Sequence, residues 1–281
     1  MESIKSTAER GAIADMHTHS EFSHDSSCKI EDMLLSQMAK GTSIFAVTDH
    51  CDTASYADYD IYTPIRTAYE TVEALNEKYR GKCRALAGVE IGEGFLYPEE
   101  CRRMLSLVRY DVVIGSVHIV KYGDITRAYS SVDFSEYSPE VIDGFMSQYF
   151  DDVITMIDTV DIDILAHLTC PIRYIKGKYD INVDMSKYNG KIERILKLII
   201  EKKIALEANT SSYSIIGESI PSESIFETYY RLGGRMVTLG SDAHSVGGAS
   251  AGFDKALEML KRVGFTEILY YEKRKPHALK I

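Results

Sequence analysis

Six of the eight histidines stand beside other metal-ligating side chains at the ends of short apolar, β-prone runs. Asp15-Met16-His17-Thr18-His19 opens the series. Thr48-Asp49-His50, Gly88-Val89-Glu90, Ser116-Val117-His118, Leu165-Ala166-His167 and Ser241-Asp242-Ala243-His244 complete it. Ordinary core histidines would be scattered; these recur where one strand after another delivers its last residue to a common face. Imidazoles with carboxylates suit divalent zinc, iron or manganese, and hydrolysis at a cluster of such ions is the chemistry they serve. His17 and His19, two apart, share a face if the strand stays extended. Asp242 and His244 repeat that spacing. Glu90 is the bridging ligand, because a carboxylate can span two cations and an imidazole cannot. Asp25 stands in the loop Phe22-Ser23-His24-Asp25-Ser26, with His24 as its rival. Any one His-x-His arises often by chance. The repetition at strand ends carries the reading, and burying these carboxylates without cations would cost heavily in desolvation.

The elements that must position these residues are legible as alternating patterns. Strands are expected over 12–16, 43–48, 85–91, 112–117, 163–166, 204–208 and 236–240, with 267–271 as an edge strand, a closing strand or part of the tail. Helices are expected over 30–39, 64–79, 98–108, 138–160, 191–203, 222–232 and 250–262. Pro98 and Pro139 stand at first helical positions, and Gly41, Gly81 and Gly264 follow helix ends. Strand and helix alternate throughout, which implies a mostly parallel sheet. An open doubly wound sheet gathers ligands at one crevice. Here almost every strand end carries one, and only a ring brings them all together. The expected fold is therefore an α/β architecture, a (β/α) barrel of about seven strands with its chemistry at their C-terminal ends. One domain spanning 1–281 is expected. The polar, tyrosine-containing stretches 123–136 and 170–189 follow ligand-bearing strands and should form a pocket rim.

The chain has 281 residues, enough for a core that needs no staples. Its formal charge of -10 disfavours a broad nucleic-acid or anionic-membrane surface, though a small anionic substrate remains compatible with a cationic metal centre. Five cysteines without a CxxC pair suggest reduced thiols in a cytoplasmic protein. No apolar run is long enough to span a membrane, and no early segment reads as a secretion signal. Oligomeric state has no signature.

On these residues the chain resembles the PHP (polymerase and histidinol phosphatase) superfamily, and within it the histidinol-phosphate phosphatase branch. The family's nine ligands match His17, His19, Asp25, His50, Glu90, His118, His167, Asp242 and His244, in order. The resemblance implies a distorted (β/α)7 barrel holding two to three divalent ions of zinc, iron or manganese. It places His17, His19, Glu90 and Asp242 on one ion. Glu90, His118 and His167 fall on a second, and Asp25, His50 and His244 on a third. It further implies hydrolysis of L-histidinol phosphate to L-histidinol and phosphate, in histidine biosynthesis.

A metal cluster suits a phosphate monoester. Water activated beside Glu90 would attack phosphorus in line while neighbouring charge neutralises the phosphoryl oxygens. Asp242 or His244 would relay a proton to the leaving alkoxide. Arg173, six residues past His167, is the expected phosphate clamp, because its fork matches phosphate oxygens. Lys121 and Arg127 are weaker choices. Glu207 and Asn209 end a strand that supplies no ligand and are expected to contact substrate, or to cap the loop at Ser211. Asp15 and Asp49 are expected to orient imidazoles, or to form a buried salt bridge or loop hydrogen bond. Cysteine chemistry at Cys170 is a minor alternative. Another small phosphate ester, a nucleic-acid end, and a non-catalytic metal-binding role are the competing functions.

Overall fold

The computed structural model describes residues 13–53 and 60–281, so Ala12, the first residue of the first expected strand, lies outside the described residues. Eight parallel strands follow in chain order: β1 (Ala14–Thr18), β2 (Ile44–Val47), β3 (His50–Asp52), β4 (Arg84–Gly92), β5 (Val112–Ser116), β6 (Ile164–Leu165), β7 (Ala205–Asn209) and β8 (Val237–Gly240). They pair in the order β1-β2-β4-β5-β6-β7-β8, and β3 resumes the course of β2 against the upper part of β4. With β2 and β3 taken as one interrupted strand, the sheet is the seven-stranded barrel expected. The ring nearly closes where β1 meets the segment after β8. There Asp242 N donates to His17 O at 2.8 Å and His19 N to Ala243 O at 2.9 Å.

Around the strands lie α1 (Ile30–Ala39), α2 (Tyr62–Lys78), α3 (Pro98–Leu105), α4 (Pro139–Thr159), α5 (Pro171–Tyr179), α6 (Asn189–Lys202), the single turn α7 (Tyr213–Ile216), α8 (Glu223–Arg231) and α9 (Phe253–Val263). The reasons are local. At α4, Ser138 caps Val141 N and Pro139 supplies a preset φ where no donor is needed. Its apolar residues Ile142, Phe145, Met146, Tyr149 and Val153 then recur at spacings of one helical turn and are buried. The helix α5 falls inside 170–189, where the sequence pattern predicts no helix. It has three turns at most, and Gly177 and its lysines weaken the pattern; only Pro171 at its start signals it. No helix among the described residues is long and apolar enough to cross a membrane.

The strands separate two layers of core. Inside the barrel, Ala14, Met16, Ala46, Leu86, Val112, Ile114, Ile164 and Ala205 fill the lower half. Outside it, Phe45, Val47, Ala85 and Ala87 meet Met33 and Leu34 of α1 and Val72 and Leu75 of α2. A larger outer cluster packs Val113, Leu165, Leu206 and Leu239 with α4, α6, α8 and α9. The expected strand 267–271 is not part of the ring. It is β9 (Glu267–Glu272), paired antiparallel with β10 (Lys275–Lys280) through a turn in which Lys273 and Arg274 take positive φ of 52° and 62°. The hairpin lies across the N-terminal ends of the strands. Tyr271 enters the lower interior and its hydroxyl donates to Asp163 O at 3.1 Å. Arg274 adds an ion pair to Asp163. The strand β10 escaped notice because it is polar and holds Pro276, which an unpaired sheet edge tolerates.

One irregularity governs the upper half. Ala14 and Met16 point inward, so strict alternation would turn His17 and His19 outward. The pairing shifts between Asp15, opposite Phe45, and Thr18, opposite Val47, so β1 carries one residue more than β2. This bulge restores His17 and His19 to the interior.

Tyr271 plugs the end of the barrel remote from the strand C-termini. Tyr271→Ala should therefore destabilise the fold by about 3–5 kcal/mol, as other large-to-small core changes do, whereas Tyr271→Phe should cost only about 1 kcal/mol. Denaturant unfolding measures both, and zinc binding by the folded fraction should be unchanged.

Candidate metal centre

All nine expected ligands converge at the C-terminal ends of the strands, although they come from seven separate segments. His17 Nε2 and His19 Nε2 lie 3.1 Å apart. Asp242 Oδ1 is 3.7 Å from the former and 3.2 Å from the latter. Glu90 Oε2 faces the same two nitrogens at 3.4 and 3.6 Å. Its other oxygen, Oε1, faces His118 Nε2 at 3.3 Å and His167 Nε2 at 2.8 Å. Asp25 Oδ2 lies 3.4 Å from His50 Nε2 and 2.9 Å from His244 Nε2. Glu90 thus turns one oxygen to each of two imidazole pairs, as a bridging carboxylate would. His50 also turns Nδ1 to Glu90 Oε2 at 2.8 Å, so it stands between two ligand groups rather than in one. His24 is exposed at the pocket wall, and it is Asp25 that enters the cluster.

The donor set fits cations better than it fits itself. Glu90 Oε2 and His50 Nδ1 are buried and close, yet neither has a hydrogen bond of acceptable geometry; nor does His167 Nδ1. Buried polar atoms without partners are costly unless something else occupies the point on which they converge. Protonation tells the same story. Burial pushes the carboxyl of Glu90 up, but His50, His17 and His118 hold it well below the ordinary range. Asp242 behaves likewise beside His17 and His19. In return, burial opposes the charged form of His17, and Glu207, Glu90 and Asp242 overcome it and raise its pKa well above the usual value. For His50, burial opposes the charged form, but Glu90 and Asp25 together overcome it and lift the imidazole to about 10. His19 is the exception: burial and the neighbouring His50 push it down to about 3. A cation at these points would take over the positive charge that protons otherwise supply.

Behind the nitrogens stand residues that fix their orientation. Glu207 Oε1 accepts from His17 Nδ1 at 2.7 Å, which leaves Nε2 with its lone pair directed into the cluster. Glu207 Oε2 accepts from His167 N at 2.6 Å and from Asn209 Nδ2 at 3.1 Å. Asn209 Oδ1 in turn accepts from Ser211 N and Ser211 Oγ. Both side chains are buried with their polar atoms taken by the protein, and of the two roles expected for Glu207 and Asn209 it is the loop cap at Ser211 that is present, made by Asn209. They are imidazole and loop supports. A Cβ at Gly240 would come within 1.9 Å of Glu207 Oε1 and 2.8 Å of His17 Cβ, so this pair needs a glycine there.

Of the two roles expected for Asp15 and Asp49, the hydrogen bonds to loops are the ones present. Asp15 accepts from Ser241 N, Ser241 Oγ and Gln37 Nε2 at 2.6 to 2.9 Å, joining β1, α1 and the end of β8. Asp49 accepts from Ser20 N and Ser20 Oγ. Neither bonds an imidazole ring; each anchors a ligand-bearing loop. The supports missed in the sequence are Asp52, whose Oδ1 lies 3.2 Å from His118 Nδ1, and Ser23, whose Oγ lies 3.1 Å from His19 Nδ1. Glu93 was missed as well; its carboxylate accepts from the backbone N–H groups of His118 and Ile119. Asp52 follows His50 at the same period of two, a cue that was available. Ser23 and Glu93 have no such cue. Backbone strain is concentrated here too, with His167 at φ 23° and Asp242 at φ 53°.

The cluster opens into a pocket walled by Asp25, Asp52, His118, Tyr129, Cys170, Arg173 and Tyr174. Arg173 is partly buried in that wall, with Nη1 2.9 Å from Ser211 Oγ and 3.7 Å from Asp242 Oδ2. Its Nε is buried without a protein partner. Lys121 and Arg127 are exposed and lie outside the wall. Burial pushes the Cys170 thiol up to about 11, which makes it a poor nucleophile and sets aside the cysteine alternative.

Zinc loading at pH 7 should release protons from His17, His50 and His118, whose pKa values are raised, and affinity should increase with pH through that range. Titration calorimetry in buffers of different ionisation enthalpy reads the proton count; none released would contradict this charge balance. Glu207→Gln should weaken metal affinity about 10–100-fold with the fold retained, read by chelator competition.

A PHP domain model matches residues 15–211. Over 258 residues the chain is 28% identical to a protein of Thermotoga maritima named probable histidinol-phosphatase, covering 90% of this chain and 93% of that one. A histidinol-phosphatase of Lactococcus lactis is 25% identical over 259 residues, covering 90% of this chain and 92% of the relative. The crystal structure of histidinol phosphate phosphatase from Lactococcus lactis, complexed with zinc, L-histidinol and phosphate, superposes with a TM-score of 0.77 at 22% identity, covering 94% of this chain and 98% of that one. The chain belongs to the PHP family.

Proposed function

We propose that this PHP-family chain is a metal-dependent phosphomonoesterase that hydrolyses L-histidinol phosphate to L-histidinol and phosphate. The observation that carries the reading is Glu90, fully buried, with its two oxygens turned to different imidazole pairs at the floor of a pocket that also holds an arginine. The substrate comes from the names of the relatives and from the ligands of the Lactococcus lactis structure. Two to three divalent ions fit the ligand groups, with zinc, iron and manganese all suited to the imidazole and carboxylate donors.

His17, His19, Glu90 and Asp242 would hold one ion, Glu90, His118 and His167 a second, and Asp25, His50 and His244 a third. When bound, such ions lower the pKa of water and neutralise phosphoryl oxygens. The protein's own part is orientation and charge. Arg173 presents its guanidinium to the non-bridging oxygens of the phosphate, held in place by Ser211. His244 Nδ1 donates to the backbone carbonyl of Asp242 at 2.9 Å, which aims Nε2 at Asp25 and removes it from proton relay. Asp242 Oδ2 remains on the Arg173 side of the pocket, where it would take the proton that the attacking water loses and hand it to the leaving alkoxide. Tyr129 and Cys170, both buried, close the wall against bulk water.

The test is phosphate release from a panel of small phosphomonoesters. L-Histidinol phosphate should exceed the rest by orders of magnitude in kcat/KM, and equal turnover of another ester would reassign the substrate. Chelation should abolish activity, and added zinc or manganese should restore it. Glu90→Gln should lose most of the metal and nearly all turnover. Arg173→Ala should keep its metal while kcat/KM falls about 10²-fold, the loss typical for one charge-stabilising donor.

A further inference from the structure

Three carboxylates line the pocket: Asp25, Asp52 and Asp242. Asp25 is opposed by His50 and His244, and Asp242 by His17, His19 and Arg173. Asp52 belongs to no ligand group among the described residues. Its Oδ1 meets His118 Nδ1 at 3.2 Å. The side chain is 18% exposed, more than Asp242 at 10%, and lines the pocket. Its rotamer depends on Gly92, where a Cβ would come within 2.1 Å of Oδ1.

An amino-alcohol phosphate carries its ammonium on the carbon next to the ester methylene. With its phosphate on the cluster, that ammonium must rest close to cations and to Arg173, a position tolerable only beside a carboxylate that belongs to no ligand group. We propose that Asp52 is the specificity-determining residue of this pocket, Oδ1 holding His118 while Oδ2 accepts the ammonium of the substrate. The proposal rests on the phosphatase reading above and names what selects an aminated phosphate over a neutral one.

The test is a two-by-two comparison. Native protein and Asp52→Asn are assayed on L-histidinol phosphate and on its deamino analogue, and binding of L-histidinol and deamino-histidinol to the zinc-loaded proteins is measured by calorimetry. Asparagine is chosen because its Oδ1 can still accept from His118, and metal content is checked on each preparation. The native protein should prefer the aminated member by roughly ten- to hundredfold, the worth of one charge-assisted hydrogen bond. Asp52→Asn should reduce that preference to within about threefold in both kcat/KM and Kd, and Asp52→Glu should restore part of it. An equal loss on both compounds would mean that Asp52 only positions His118, and would overturn the proposal. Native protein that hydrolyses neither compound but turns over another phosphate ester would refute the substrate reading, and the proposal with it. A native protein active on both without preference would refute the proposal alone.

Discussion

A buried carboxylate surrounded by imidazoles sets the terms for the rest of this structure. Glu90 lies on the central strand β4 with no solvent exposure, and imidazoles of His17, His19, His50, His118 and His167 all lie within 3.6 Å of its oxygens. Such an arrangement has excess donor atoms and too few hydrogens to satisfy them. It requires positive charge, from protons or from cations, and it requires walls stiff enough to prevent collapse into ordinary hydrogen bonds.

The barrel supplies that stiffness by division of labour. Apolar side chains fill its lower interior and the hairpin of β9 and β10 covers that end, leaving the upper interior to polar groups. Asp15 joins three elements at the seam where the ring closes, so the ligands of β1 and those after β8 keep a common frame. The bulge in β1 belongs to the same design. It changes which side of the strand faces inward at the level where apolar filling gives way to ligands.

Orientation is imposed from behind. Glu207 and Asp52 each accept from the far nitrogen of a ligand histidine, and each lies where a glycine on the neighbouring strand, Gly240 or Gly92, makes room. A carboxylate in that position fixes the tautomer and raises the basicity of the ring. The strand β7, which carries no candidate ligand of its own, therefore contributes through Glu207 to two candidate ligands at once, the ring of His17 and the backbone of His167.

Much of this could be read from residue order. Alternation of apolar strands and amphipathic helices, and His, Glu and Asp at successive strand ends, point to a closed parallel ring and to the nine side chains that converge in it, because those signals depend only on local period and residue type. Partners distant in sequence were not legible. Asp15 and Asp49 adjoin ligands in the chain but bond to loops, whereas Glu207, 190 positions from His17, holds its ring. The hairpin strand β10 and the short helix α5 carry patterns too weak for their length. The inward aim of His17 and His19 depends on a register shift that neither residue announces. Composition and spacing determine which side chains can meet, since strand period and helix length are properties of neighbours along the chain. Which oxygen meets which nitrogen was decided by the closing of the ring, because barrel curvature, the bulge and the space left by two glycines exist only once the strands have paired.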